Sequence, residues 1–89
     1  MLLWPPKDPD EVLDYGIDWA SRLDTDTIAT SIWIVPDGIT QTDDSNTTTA
    51  TTLWLSGGTL GEAYTFTNRI TTAGGRTMDQ SVKLKITAK

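Results

Sequence analysis

Two stretches near the end of the chain alternate apolar and polar side chains residue by residue, and this constrains the fold more than any total. In Gly61–Ile70, Tyr64, Phe66 and Ile70 share one parity against Thr65, Thr67 and Arg69. In Gln80–Thr87, Val82, Leu84 and Ile86 oppose Lys83, Lys85 and Thr87. Strand side chains point to opposite faces with a period of two, so each stretch reads as a half-buried β-strand. Between them lies Ala73-Gly74-Gly75-Arg76, whose glycines accept the positive φ angles of a chain reversal. Segments 62–71 and 78–88 therefore pair as a long hairpin, and the rest of the chain must cover its apolar face.

The remaining segments supply that cover. Leu13, Tyr15, Ile17 and Trp19 alternate with Asp14, Gly16 and Asp18, a strand with one buried face that runs on to Ala20. Asp24-Thr25-Asp26 reads as a turn. Thr27 to Val35 is rich in β-branched residues and reads as a strand, with Ile28, Ile32 and Ile34 on one parity and Ala29, Trp33 and Val35 on the other. Apolar groups on both faces fit a central strand, or one whose outer face a partner covers. Pro36-Asp37-Gly38 is a turn signal, Ile39–Gln41 a short strand, and Thr42 to Asn46 a polar surface loop. Thr49 to Leu55 is a strand with Leu53 and Leu55 against Trp54. The fold class is all-β: an antiparallel immunoglobulin-like β-sandwich of six to seven strands.

One sandwich accounts for residues 11–89. Residues 1–10 read as an extended arm, because Pro5, Pro6 and Pro9 fix φ and push their neighbours toward polyproline-like backbone. Leu2, Leu3 and Trp4 lie ahead of these prolines and fit no strand of the sandwich. Apolar groups at a terminus are costly in water, at about 25 cal/mol per Å². The arm is therefore expected to pack on a neighbouring subunit with Trp4 as its anchor; the alternative is a lid over its own core. The interface candidates are Leu2, Leu3, Trp4, Pro5 and Trp54.

Composition narrows the chemistry. The 89 residues contain no Cys and no His, which removes the common nucleophile–base pairs, the imidazole base and ordinary zinc sites. No enzyme and no cofactor is expected. No leader of the secretory type is expected at Met1, and no apolar run approaches the roughly 20 residues that cross a bilayer, so no membrane partner is expected. Residues 1–62 hold eleven of the twelve acids against Lys7 and Arg22, whereas residues 63–89 hold Asp79 against five basic residues. The net charge of −5 opposes phosphate binding, and no nucleic-acid partner is expected. Lys83 and Lys85 read as the solvated outer face of a strand, with an acidic protein partner as the alternative.

Three further signals carry two readings each. Tyr64, near the start of the penultimate strand, is placed for a tyrosine corner that bonds upstream backbone; otherwise it is a core tyrosine with its hydroxyl at the rim. Asp8, Asp10, Glu11, Asp14, Asp18, Asp24 and Asp26 offer oxygens to calcium, but no Asp-x-Asp-x-Asp-Gly loop with a closing Glu is present, and solvated carboxylates are the plainer reading. Four tryptophans in so short a chain exceed what its core should hold, so at least one is expected at a contact surface.

Taken together, five groups of residues form a recognisable pattern. They are Lys7-Asp8-Pro9-Asp10-Glu11-Val12-Leu13-Asp14-Tyr15-x-Ile17-Asp18-Trp19, Asp26-Thr27-Ile28-x-Thr30-Ser31-x-Trp33, Leu53-Trp54-Leu55-Ser56-Gly57-Gly58-Thr59-x-Gly61, Tyr64-x-x-Thr67-Asn68-x-Ile70-Thr71-Thr72 and Gly75-Arg76-Thr77. Across nearly its whole length the chain resembles a family of small structural proteins of tailed bacteriophages and prophages, labelled fiber–tail adaptors. The resemblance implies a non-enzymatic component of the virion, made in the host cytoplasm, present in several copies in a symmetric assembly and docked on other virion structural proteins. It brings no catalytic residues. The alternative from another class is a sugar-binding or adhesive immunoglobulin-like module at a virion or cell surface, with exposed tryptophans stacking on saccharide rings.

Overall fold

The computed structural model describes residues 2–89, with strands β1 Leu2–Leu3, β2 Leu13–Asp18, β3 Ile28–Ile34, β4 Ile39–Asn46, β5 Ala50–Gly57, β6 Ala63–Thr72 and β7 Thr77–Lys85, and one helical turn, α1 Ala20–Leu23. The strands make two sheets, ordered β1-β7-β6-β3 and β2-β5-β4. In chain order they fill positions A to G of an immunoglobulin sandwich, one sheet holding B-E-D and the other G-F-C. The first strand crosses to the outer edge of the last and runs parallel to it. The fold is an all-β sandwich of seven strands.

The alternation predicted for the terminal hairpin sets its register. Tyr64 pairs with Leu84, Phe66 with Val82 and Ile70 with Met78, and all six side chains face the other sheet. Thr65 opposite Lys83 and Arg69 opposite Asp79 share the outer face. Leu53 and Leu55 of β5 close the core from the second sheet, fully buried.

Three elements differ from the sequence-based expectation. In β3 the pairing skips between Ile28 and Thr30, leaving Ala29 as a bulge. One extra residue reverses the parity of everything after it. Ile28 therefore points inward with Ser31 and Trp33, while Ile32 and Ile34 point to solvent, on a strand at the edge of its sheet rather than its centre. Thr42 to Asn46, expected as a loop, continues β4: it pairs with Trp54 to Thr51 of β5 across a second bulge. Its polar residues suit a strand at a sheet edge, where Asp43 and Asp44 discourage strand addition. The strand expected to reach Ala20 stops at Asp18, whose carboxylate accepts the Ala20 N–H at 2.9 Å as α1 begins.

The arm is the fourth difference. Leu2 and Leu3 pair with Val82 and Lys83, the Trp4 N–H donates to the Lys83 carbonyl, and Lys7 bridges to Ile86. Residues 2–7 are thus stitched along β7 rather than extending from the domain.

Candidate docking surfaces

The side chains that close the sandwich decide which others stay uncovered. Trp4 is 8% exposed, so it is a core residue and not an exposed anchor. Its ring stacks on Tyr15 at 4.8 Å, lies 5.5 Å from Phe66 and 5.8 Å from Trp33, and its indole N–H donates to the Gly16 carbonyl at 3.1 Å. The reason is geometric. The Trp4 ring lies between Tyr15 of β2 in one sheet and Phe66 and Trp33 of β6 and β3 in the other, and so supplies aromatic volume to a core that has one Phe. The Tyr15 hydroxyl then donates to the Pro5 carbonyl at 3.2 Å, fixing the chain just beyond.

Lys7 completes the seam. Its side chain is fully buried, and its ammonium donates to the carbonyls of Gly57 at 2.7 Å and Asp8 at 2.9 Å. Burial pushes the Lys7 ammonium below its ordinary value, against the opposing pull of Glu11, Asp8 and Asp10. Next to it, Asp8 accepts the backbone N–H groups of Asp10 and Lys89, and Glu11 accepts that of Asp8 and pairs with the Lys89 ammonium at 3.2 Å. These bonds hold both carboxyl groups below their ordinary range, led by the backbone N–H of Asp10 for Asp8 and of Asp8 for Glu11.

A second pin sits between the sheets. Buried Asn68 on β6 accepts from the Trp19 indole at 3.0 Å and the Thr51 hydroxyl at 2.8 Å, and donates to the Ser31 hydroxyl at 2.9 Å and the Ile32 carbonyl at 3.0 Å. Every polar position of its amide is thereby used. Tyr64 forms the corner: its hydroxyl accepts the Thr59 N–H at 3.0 Å and donates to the Gly38 carbonyl at 3.4 Å. A Cβ on Gly38, whose φ is +97°, would lie 2.9 Å from that hydroxyl, so the turn is built around the tyrosine. Asp26 ties the β6–β7 turn down. The Thr72 hydroxyl and the N–H groups of Thr27 and Gly74 bond its carboxylate and hold it below its ordinary range. The carboxylates first weighed as calcium ligands are thus largely engaged with backbone, and among the described residues no three acids cluster for a metal.

What remains uncovered is apolar and ordered. Leu3 is 64% exposed and lies beside Lys83 at the β1 edge, with Leu2 and Pro5 also exposed. Trp54 is 40% exposed on β5, the central strand of its sheet. Directly paired residues share a face, so Asp14 of β2 and Asp43 of β4 flank it on both sides. On the opposite outer face, Ile32 and Ile34 are 56% and 48% exposed, beside Arg69 and Thr67. The sequence places Ile32 and Ile34 on one face and allows a partner over it, but does not single them out as interface residues, because apolar groups lie on both faces of β3. Among the described residues no pocket encloses a small molecule.

These features define an immunoglobulin-like sandwich stiffened from within and apolar on selected faces, the build of a structural protein. The family model for podophage GP4 fiber-tail adaptor protein gp77 matches residues 7–85, and the chain belongs to that family. It is a structural protein of the phage tail and part of the virion. No curated protein matches the chain.

Proposed function

We propose that this chain is a non-enzymatic adaptor that docks on neighbouring virion proteins, in several copies, through the side chains that its own fold leaves uncovered: Leu2, Leu3 and Pro5 at the β1 edge, and Trp54 on the smaller sheet. The observation that carries this reading is the placement of Trp54. A tryptophan in the middle of a central strand, with a small core that needs aromatic volume, is exposed only because its parity points away from that core. Such rings are the side chains that dominate protein interfaces. Complementation of a phage lacking this protein tests it. Trp54→Ala and Leu3→Asp should melt as the native chain does and fail to enter particles; normal incorporation of both variants would overturn the reading.

One observation favours a second reading, the position of Trp54 between Asp14 and Asp43 in the strand register. An aromatic face with flanking acceptors also suits a saccharide. Glycan-array screening separates the two: specific binding abolished by Trp54→Ala would establish the sugar-binding module, and none is expected of the adaptor.

A further inference from the structure

The two outer faces of the sandwich carry opposite charge. The outer face of β2, β4 and β5 holds Asp14, Asp18 and Asp43 and no basic residue. Strands β1, β3, β6 and β7 hold Arg69, Lys83 and Lys85 against Asp79 alone. Arg69 and Asp79 neutralise each other in a two-pronged pair, with Nε donating at 2.9 Å and Nη2 at 3.0 Å. Lys83 and Lys85 are left as outward-facing cations, neither in an ion pair among the described residues. Each face also has an apolar feature: Trp54 on the acidic side, Ile32 and Ile34 on the basic side.

We propose that the Trp54 face of one copy docks on the Ile32–Ile34 face of a second copy of this chain. The contact sets Trp54 against the two isoleucines at the β3 edge and lays the outer face that carries Asp14 and Asp43 over the outer face that carries Lys83 and Lys85 on β7. Charge selects this pairing over the alternatives. Two Trp54 faces brought together would oppose one acidic face to another, and two isoleucine faces one net basic face to another, whereas the mixed pair attracts. An apolar patch on an exposed sheet, left on a chain that buries Trp4, Trp19 and even Lys7, marks a surface meant to be covered. Because the two surfaces differ, the contact is heterologous: each copy offers one of each, and copies add in series unless their rotation closes a ring. The inference rests on the adaptor reading for its setting and identifies the occupant of the Trp54 face.

The test is sedimentation of the purified full chain over a concentration series. The native chain should grow beyond a dimer with concentration, less so in high salt, where the charge term is screened. Trp54→Ser should be monomeric, and so should Ile32→Ser/Ile34→Ser, each with a native melting curve because the replaced side chains lie at the surface. Mixed together, the two variants retain one working face each and should form a one-to-one heterodimer that grows no further. A native chain that stays monomeric up to its solubility limit overturns the inference, as does a single-face variant that still dimerises. If the chain is monomeric while Trp54→Ala still fails to enter particles, the second-copy contact falls and the adaptor reading stands.

Discussion

At the scale of single residues, burial and hydrogen bonding separate neighbours that look alike in composition. Leu84 and Lys83 are adjacent on β7, yet Leu84 is sealed in the core and Lys83 points outward. Leu84→Ala should lose about 2–5 kcal/mol through transfer energy and the cavity left behind, while Lys83→Ala should stay within about 0.5 kcal/mol of the native chain. Urea titration of both variants checks the face assignment. Asn68 makes a different prediction. Asn68→Leu removes the acceptor of the Thr51 hydroxyl, the nearer of the two acceptors of the Trp19 indole, and the donor to the Ile32 carbonyl. At about 1–3 kcal/mol for each buried group left unsatisfied, it should destabilise the fold more than its near-neutral volume change implies. The same titration reads this out, and a cost below 1 kcal/mol would show that the amide is not a pin. Its role was not legible beforehand, since nothing local in Thr67-Asn68-Arg69 distinguishes a buried amide from a surface one. Tyr64 was legible, because its place at the start of a late strand is tied to the sandwich topology itself.

At the scale of elements, alternation was a reliable guide where both faces of a strand differ and a poor one where they do not. The β6–β7 hairpin and β2 were readable for that reason. The β3 faces were not, because a bulge at Ala29 reverses parity without any mark in the sequence. The start of β4 is legible at Ile39–Gln41, but its continuation over Thr42 to Asn46 is not, because a polar strand at a sheet edge has no alternation to display. For the arm, the sequence leaves docking on a neighbour and a lid over its own core both open, because Leu2, Leu3 and Trp4 show no strand alternation; residues 2–7 run along β7 and place Trp4 in the core, the lid arrangement. Deleting residues 1–6 removes Trp4 and its stacking on Tyr15, so it should clearly lower the melting temperature of the isolated chain. Trp4→Ala alone should cost about 3–5 kcal/mol. Thermal unfolding by circular dichroism checks both, and an unchanged melt would return the arm to an outward-facing role.

For the whole molecule, charge and pH act together. Asp8, Glu11, Asp26 and Asp79 all titrate below their ordinary values of 3.8 or 4.5, Asp79 chiefly because of its bond from Arg69. A carboxyl group whose folded pKa is depressed contributes stability above its unfolded pKa and loses it as pH falls through the folded one. Melting temperature should therefore hold steady down to about pH 5 and drop progressively below pH 4, and Asp26→Asn should flatten that drop. The sandwich uses its termini, Lys7 and Asn68 to pin itself and leaves Trp54 exposed, the side chain proposed for contact. Radical oxidation of tryptophan, read by mass spectrometry in the isolated chain and in intact particles, tests this most directly. Trp54 should oxidise readily in the dilute chain and be protected in the particle, with Trp19, fully buried in its own core, unreactive in both. Equal oxidation of Trp54 in the two states would contradict the account.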